Sequence, residues 1–207
     1  MISGPALVVL AAGASERLGE PKALARLRRE APGSPLELLL AAGARLGDER
    51  PLVVAGRDHA RIAAAAPGTV EVLENPEWLA GRTGGVRLAS ERRADRDLCL
   101  APVDVPLVPG DVFAALAEEW IRRGRPARGW LAPCTRRAGQ LRHGHPVIVG
   151  RELLASLKNF PADRPLRELR ALAVPLLALD VENDAVLDDL DTPGDLRRLA
   201  ERLSAGR

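Results

Sequence analysis

The sequence predicts an α/β protein in which helices cover both faces of a mostly parallel β-sheet. The first observation is a series of short apolar runs without polar alternation, which is typical of parallel strands buried on both faces. The second is that stretches with helical periodicity separate these runs, and the third is a glycine-containing loop directly after the first run. This order of elements favours a three-layer αβα sandwich, in which ligands bind beyond the carboxyl ends of the strands.

Five apolar runs are predicted as strands: PALVVLAA, PLVVAG, TVEVLE, DLCLAPV and GWLAPC. A first helix is predicted over SPLELLLAAGARLG, with Ser34 as N-cap and Pro35 in the first turn. Two more helices are predicted over GGVRLASERRA and GDVFAALAEEWIRRG. The last helix, DTPGDLRRLAERLSAGR, is predicted to begin at Asp191 or Thr192. The stretch TRRAGQLRHG, residues 135–144, is predicted to be a mobile insertion.

Composition and charge limit the class of protein. A chain of 207 residues can bury a sizeable core, and residues 1–207 are predicted to form one domain. The net charge is only +2 and no long basic tract occurs, which argues against a nucleic-acid-binding protein. No apolar run approaches the roughly 20 residues that span a bilayer, and no secretory signal is recognised, so the sequence predicts a cytoplasmic protein without a membrane partner. Cys99 and Cys134 are expected to be buried, reduced thiols.

The loop LAAGASERLGEPKAL, residues 10–24, follows the first strand, where an α/β protein places its phosphate loop. Its glycines, Gly13 and Gly19, are too far apart for a dinucleotide-binding fingerprint, and the order Gly-Glu-Pro-Lys does not fit a P-loop. What the loop does offer is backbone that can approach a ligand closely, together with two cations, Arg17 and Lys22. These features favour polyphosphate binding, and the alternative is a flexible turn with surface cations.

Carboxylates follow two other predicted elements. Asp104, in LCLAPVDVPLVP, comes at the end of a strand, where a nucleotide-bound Mg²⁺ could be held by one or two protein carboxylates. The alternative for Asp104 is a turn cap. Asp188, Asp189 and Asp191 precede the last helix, and their mutual repulsion would be relieved either by a metal ion or by the dipole of that helix. A helix cap remains an equal alternative for Asp191.

These segments, in this order, resemble the molybdopterin-nucleotidyltransferase-like enzymes. The first loop is similar to that family's L-A-A-G-x-S-x-R-x-G-x-x-K, and DVP is similar to its strand-end Asp-x-Pro. ENPEWLAG resembles its Asn-x-x-Trp-x-x-Gly segment, GHPVIV its Gly-His-Pro strand, and LDDLDTPGDL its Asp-x-Asp-Thr-Pro-x-Asp-Leu segment. The Gly-His-Pro element together with Ala12 is most similar to the molybdenum cofactor cytidylyltransferase branch.

The resemblance implies a Rossmann-like nucleotidyltransferase fold and transfer of a nucleotide to a phosphorylated small-molecule acceptor, such as a pterin cofactor, with release of pyrophosphate. It also implies a role in molybdenum cofactor biosynthesis and a molybdoenzyme as maturation partner. Asp104 would bind Mg²⁺, with Asp191 as second ligand and Asp189 as its alternative. Catalysis is assigned to Arg17, Lys22 and Asp104, and nucleotide or substrate contacts are assigned to Leu10, Ala11, Ala12, Gly13, Arg17, Lys22, Asn75, Thr83 and His145.

Three positions depart from the family pattern. Val103 stands where a glycine often precedes the metal-binding aspartate, and Gly84 and Gly85 stand where serines are common, which leaves Thr83 as the hydroxyl of that segment. His145 is expected to be either a packed structural residue or a substrate contact. Ala12 predicts a preference for CTP over GTP, because its methyl group would leave less room for a purine.

Two further functions remain open. Within the enzyme class, the acceptor could instead be a sugar phosphate or a small alcohol phosphate, because the first loop indicates the nucleotide donor and says little about the acceptor. In a different class, the protein could bind nucleotides as an accessory factor without turnover.

Overall fold

The computed structural model describes residues 4–161 and 163–205, and it confirms the predicted α/β architecture. A single sheet of eight strands is formed within these residues. The strands are β1 (Ala6–Ala11), β2 (Leu52–Ala55), β3 (Glu71–Glu74), β4 (Leu98–Pro102), β5 (Trp130–Arg137), β6 (Gln140–His143), β7 (Val147–Val149) and β8 (Leu176–Asp180).

Strands β3, β2, β1 and β4 lie side by side and run parallel. Beyond β4, the short β7 is antiparallel to both β4 and β5, while β8 pairs in parallel with β5. The register aligns Ala11 with Ala55 and Leu10 with Pro102, so the first, second and fourth strands end at the same edge of the sheet. The segments that follow these strands therefore meet at one place.

Seven α-helices occur in the described ranges, and none of them is long and apolar enough to cross a membrane. They are α1 (Pro35–Gly43), α2 (His59–Ala65), α3 (Arg82–Arg92), α4 (Gly110–Arg122), α5 (Arg151–Ala155), α6 (Leu166–Arg170) and α7 (Pro193–Ala205). Ser34 is the N-cap of α1, as predicted, and forms a capping box with Glu37.

The core is divided between the two faces of the sheet, as a three-layer sandwich requires. On one face, Leu7 and Val9 of β1 share a cluster with apolar residues of α1 and α4. On the other face, Ala6 and Val8 share a cluster with residues of α3 and α5. Alternate residues of one strand are thus buried on opposite faces, which explains why the apolar runs do not alternate with polar residues.

The prediction of a mobile insertion over residues 135–144 is wrong. The stretch contains the end of β5 and all of β6, which pair as an antiparallel hairpin. Ala138 and Gly139 connect the strands, and both have positive φ angles, 51° and 78°. Positive φ at both central residues is characteristic of a tight two-residue hairpin turn. The polar sequence is explained by the exposure of β6, which extends beyond the apolar core.

Both cysteines match their prediction, since Cys99 and Cys134 are buried and free. Burial raises the pKa of the Cys134 thiol, and the negative charge of Asp180 raises it further. The raised pKa keeps the Cys134 thiol protonated near neutral pH.

Candidate active site

A cavity of about 190 Å³ lies at the carboxyl ends of the parallel strands. Its walls come from the loop after β1, the end of β4 and the start of α3. The lining residues are Leu10, Ala11, Ala12, Gly13, Ser15, Pro21, Lys22, Ala23, Val54, Asp58, Ile62, Trp78, Gly81, Arg82, Gly85, Val103 and Asp104. The position matches the expected ligand site of an open α/β sheet.

The loop after β1 folds back on itself and thereby brings Lys22 to the cavity. Ser15 has a φ of 54°, and its hydroxyl accepts a hydrogen bond of 3.0 Å from the backbone N–H of Lys22. Its carbonyl also accepts hydrogen bonds from the N–H groups of Leu18 and Gly19. A Cβ added at Gly13 would meet no heavy atom within 4 Å, so this part of the cavity wall is open space. The loop is thus an ordered turn that presents its backbone to a ligand.

Asp191 holds both cations of this loop. Its carboxylate accepts a hydrogen bond of 2.5 Å from Lys22 Nζ and one of 2.9 Å from Arg17 Nη2. The hydrogen bond from Lys22, assisted by the charges of Lys22 and Arg17, keeps the pKa of Asp191 below its usual value. The Lys22 side chain is only 16% exposed and lines the cavity, whereas the Arg17 side chain is 71% exposed and lies outside it.

The start of α7 settles the alternative role of Asp191. Thr192 Oγ1 accepts a hydrogen bond from the N–H of Asp195, and the Asp195 carboxylate accepts from the N–H groups of Asp191 and Thr192. Thr192 is therefore the residue that caps α7. The Asp191 side chain points instead to the cations of the first loop.

Asp104 follows β4 and lines the same cavity. Its carboxylate accepts a hydrogen bond of 3.0 Å from Arg82 Nη2, at the first residue of α3. Its backbone carbonyl accepts a hydrogen bond of 2.7 Å from the N–H of Leu190. This bond joins the end of β4 to the aspartate-rich segment before α7 and places Asp104, Asp189 and Asp191 in one region.

The chemistry of these carboxylates fits a divalent cation. Partial desolvation raises the pKa of Asp189, and the negative charges of Asp104 and Asp191 raise it further. A cation among them would relieve this repulsion. No group of three or more His, Cys, Asp or Glu side chains forms a metal site by itself in the described part of the chain. Two carboxylates nevertheless suffice for Mg²⁺ when phosphate oxygens and water supply its other ligands.

Asp188 has a separate structural role. Its buried carboxylate accepts hydrogen bonds from Arg198, at 3.2 Å, and from Arg202, both on α7. Within the aspartate-rich segment, Asp188 therefore stabilises the position of the last helix, whereas Asp189 and Asp191 lie near the sheet edge.

Besides Arg17, three predicted contact residues lie outside the cavity. Thr83 is buried, and its hydroxyl donates to the backbone carbonyl of Arg164. Asn75 is buried as well, with Oδ1 accepting from the N–H of Glu77 and Nδ2 lacking a hydrogen-bond partner. His145 belongs to a neighbouring cavity. The assignment of these three residues to substrate contacts stays a prediction.

The departures from the family pattern are compatible with the packing. Val103 is buried and forms part of the cavity wall. A Cβ added at Gly85 would lie 3.1 Å from Val54 Cγ1 and 3.5 Å from Asn75 Nδ2. A serine at Gly85 would therefore require the Val54 side chain to move by a few tenths of an ångström, and the glycine allows α3 to lie close to the sheet.

A second cavity, of about 220 Å³, adjoins the first and shares Leu10 and Arg82 with it. The other lining residues are Leu100, Pro102, Trp130, His145, Val147, Leu166, Arg167 and Arg170. Trp130 Nε1 and His145 Nδ1 are buried there without hydrogen-bond partners. Burial lowers the pKa of His145 to about 4, and the charge of Arg82 contributes to this shift, so the imidazole is neutral near pH 7.

Sequence reasoning missed Arg82, Asp58 and Trp78, which all line the first cavity. For Arg82 a signal was present, because a cation in the first turn of a helix is unfavourable next to the positive end of the helix dipole. Such a residue indicates a nearby anion. The sequence carried no comparable signal for Asp58, because its place in the cavity depends on how α2 packs beyond the sheet edge.

Comparisons with known proteins agree with this geometry. The profile of the MobA-like NTP transferase domain matches residues 7–179. A comparison with curated proteins gives no match. The structure is similar to Rv0371C of Mycobacterium tuberculosis H37Rv in complex with manganese, with 25% sequence identity, a TM-score of 0.71, and coverage of 96% of this chain and 98% of that one.

Two structures of lower identity share the fold. One is molybdopterin-guanine dinucleotide biosynthesis protein A from Archaeoglobus fulgidus, with 18% identity, a TM-score of 0.70, and coverage of 96% of this chain and 98% of that one. The other is a nucleotidyl transferase from Methanothermobacter, with 21% identity, a TM-score of 0.74 and full coverage of both chains. Since the profile match spans most of the sheet and the first cavity, the chain belongs to the MobA-like NTP transferase family.

Proposed function

We propose that this protein is a Mg²⁺-dependent nucleotidyltransferase that transfers CMP from CTP to a phosphorylated acceptor, such as the molybdopterin cofactor, and releases pyrophosphate. The membership of the family supports nucleotidyl transfer in general. The choice of CTP, of the acceptor and of Mg²⁺ is our proposal.

One observation carries it: a single cavity joins the backbone of the first loop, the ammonium of Lys22 and the carboxylate of Asp104. Triphosphate binding requires cations and backbone that can approach the phosphates closely. A nucleotide-bound metal ion requires a carboxylate ligand near the phosphates. The lining from Leu10 to Gly13 supports the assignment of this loop to the base and ribose. Arg17 lies at the loop surface and pairs with Asp191, so a direct contact with the triphosphate would require Arg17 to share or leave that carboxylate.

The transfer would require little covalent chemistry from the protein. A terminal phosphate oxygen of the acceptor forms a bond to the α-phosphorus, and the bond from that phosphorus to the bridging oxygen breaks. Pyrophosphate leaves with that oxygen and the electron pair, and no proton has to be removed from a dianionic acceptor phosphate. Mg²⁺, held by Asp104 with Asp191 or Asp189, would neutralise phosphate charge.

The residues of the chain would position the reactants and stabilise charge. Ser15 accepts a hydrogen bond from the backbone N–H of Lys22 and Asp191 accepts one from its ammonium, which supports a preorganised position of this cation in the cavity wall. Preorganised cations of this kind stabilise the charge that develops on the departing pyrophosphate. Asp104 would supply the negative charge that fixes the metal beside the α-phosphate.

The preference for CTP rests on Ala12, which lines the cavity between Ala11 and Gly13. A methyl group at this position reduces the space against the base and favours the smaller pyrimidine. One methyl group in a pocket contributes about 1 to 3 kcal/mol, so the preference should be clear without being absolute.

No feature of the cavity favours the alternative of a non-catalytic nucleotide-binding protein. The presence of Lys22 and Asp104 in one cavity supports the enzyme. A sugar phosphate or small alcohol phosphate remains an alternative acceptor.

Pyrophosphate release with each of the four nucleoside triphosphates, Mg²⁺ and candidate acceptors tests the proposal. We expect the highest rate with CTP and a phosphorylated pterin. Asp104→Asn should keep the melting temperature and lose most turnover, because an amide keeps the shape of the carboxylate without its charge. Asp95→Asn is the matched control, since Asp95 is exposed and precedes β4, whereas Asp104 follows it. Wild-type turnover in Asp104→Asn would contradict the assignment, and absence of pyrophosphate from every wild-type reaction would contradict the proposed function.

A further inference from the structure

Arg82 lies in the wall between the two cavities. It lines both of them, and only Leu10 among the described residues does the same. It is the first residue of α3 and follows Gly81, whose φ of 121° is readily adopted only by glycine. The turn at Gly81 thus brings the base of the Arg82 side chain to the point where the cavities meet.

In the ligand-free protein the guanidinium of Arg82 is held by Asp104, with 3.0 Å between Nη2 and Oδ2. Side-chain exposure is 47% for Arg82 and 24% for Asp104, so the arginine is accessible from solvent. The positive charge of Arg82 also acts to lower the pKa values of Asp189 and His145. Arg82 adds a cation to the positive end of the α3 dipole, so an anion at this point stabilises the protein.

The proposed reaction brings two anions to the same point. The nucleotide would occupy the first cavity and the acceptor the second, so the α-phosphate and the acceptor phosphate have to meet at the shared wall. Leu10 is apolar and cannot compensate the repulsion between two phosphates. A guanidinium has several donors in a planar fork and can contact two phosphate groups at once.

We propose that Arg82 is a further catalytic residue, which leaves Asp104 when that carboxylate coordinates a divalent cation and then contacts both the α-phosphate and the acceptor phosphate. The inference rests on the proposed function. The bonds exchanged are those of the transfer described above, and Arg82 donates hydrogen bonds without giving up a proton. Arg82 therefore pairs with the carboxylate that we propose as a metal ligand.

The proposal has two consequences of opposite sign. Arg82 and the cation compete for Asp104, so removal of the guanidinium should strengthen cation binding. Removal of the same group should weaken catalysis, because the two phosphates then meet without a compensating charge. If Arg82 only supported the structure of α3, its removal would lower cation affinity and catalytic rate together.

The test uses Arg82→Met, which keeps the apolar stem and removes the charge. Mn²⁺ binding is measured without nucleotide, by the paramagnetic resonance signal of the free ion, and pyrophosphate release is measured under saturating substrates. We expect the Mn²⁺ affinity to rise by roughly 5-fold or more, the lower end of common site-to-site couplings. We expect kcat to fall by about 100-fold or more, as for loss of one charge-stabilising donor. Arg82→Lys should recover only part of kcat, because an ammonium cannot form the fork.

Arg87→Met is the matched control. Arg87 is on the same helix, pairs with Glu77 at 3.4 Å and lines neither cavity, so both measurements should equal those of the wild type. Unchanged or weaker Mn²⁺ binding in Arg82→Met would overturn the exchange at Asp104. Unchanged kcat in that variant, with an active wild type, would overturn the catalytic role alone. An inactive wild type would instead reject the proposed function, and Mn²⁺ binding would still report whether Arg82 and the cation compete.

Discussion

At the scale of single residues, Asp191 determines how the two cations of the first loop are presented. Its carboxylate pairs with both, so an incoming triphosphate would have to share them with Asp191 or displace it. The Lys22 side chain is largely buried in the cavity wall, whereas Arg17 is mostly in solvent. Charge pairs in solvent contribute little, and those shielded from it contribute more. The two cations should therefore differ in their effect on nucleotide affinity.

Lys22→Ala should weaken the binding of CTP and Mg²⁺ by about tenfold or more, which corresponds to the loss of one hydrogen bond to a charged group. Arg17→Ala should have a smaller effect, and Arg17→Lys should not fully restore the affinity, because an ammonium forms no bidentate contact. Calorimetric titration without acceptor measures both. Arg26→Ala is the control, since Arg26 forms an exposed pair with Glu37 outside the cavity. Unchanged affinity in Lys22→Ala and Arg17→Ala would show that the loop is a surface turn.

Ala12→Gly should narrow the preference for CTP over GTP, because the cavity gains the space of one methyl group beside Ala11 and Gly13. For the wild type, kcat/KM should be roughly 10-fold to 200-fold higher with CTP than with GTP. Comparing CTP, GTP and ATP on one acceptor measures it. Ala14→Gly makes the same change in the same loop outside the cavity lining, and it should leave the ratio as it is. An unchanged ratio in Ala12→Gly would place base recognition elsewhere.

At the scale of elements, the start of α7 combines a helix cap with the segment that we propose to hold the metal. Thr192→Ala removes the side-chain acceptor for the N–H of Asp195 and should lower the free energy of unfolding by about 1 kcal/mol. Thr192→Ser keeps the hydroxyl and should remain close to the wild type. Denaturant unfolding measures both variants. Equal losses in the two would indicate that the methyl group of Thr192, and not its hydroxyl, stabilises the helix.

The same helix cap should make the stability of α7 depend on pH in the acidic range. The hydrogen bond from the Thr192 side chain, together with Arg198 and backbone N–H groups, lowers the pKa of Asp195 from 3.8 to about 2. A carboxylate with a lowered pKa in the folded protein contributes stability above the unfolded value and loses it as the pH falls through the folded value. The cap should therefore persist above pH 4 and be lost toward pH 2, and Asp195→Asn should reduce this part of the acid sensitivity.

Local signals predicted most elements and only part of the site. The strands of the parallel core and the helices α1, α4 and α7 have clear patterns, because each is long enough to show a period or a cap. The helices α2, α5 and α6 have only five to seven residues, and β8 is a partly exposed strand, so their patterns are weak.

The residues of the site divide in the same way. Lys22 and Asp104 could be predicted because both belong to segments that follow strands, and strand ends converge at one edge. The position of Thr83 could not be predicted, since its partner is the carbonyl of Arg164, which is 81 residues away. The role of Arg82 at two cavities likewise depends on how α3 meets the other half of the sheet.

At the scale of the whole molecule, one buried imidazole affects stability over a defined range of pH. The pKa of His145 is lowered by burial to about 4, from an ordinary value of 6.5. Below 6.5 the unfolded chain therefore binds a proton that the folded protein does not, and this favours unfolding. The contribution of His145 to stability is complete above pH 6.5 and is lost as the pH falls toward 4.

We expect the free energy of unfolding of the wild type to increase between pH 4 and 6.5 more steeply than that of His145→Gln, because glutamine does not titrate in this range. Urea unfolding at a series of pH values measures both slopes. His59→Gln is the control, since the side chain of His59 is partly exposed and its pairing distance to Glu74 is 4.0 Å. Parallel curves for the wild type and His145→Gln would show that His145 does not account for the slope.

The order of the chain has a consequence for its synthesis. Asp191 lies 169 residues after Lys22 and 174 after Arg17, and it follows every strand of the described sheet. Translation therefore produces the loop and its two cations near the beginning, while the carboxylate that orders them emerges from the ribosome only after β8. A nascent chain in which every strand of the described sheet has been synthesised still lacks the carboxylate that pairs with Lys22 and Arg17, so this pairing is among the last contacts of the loop to form.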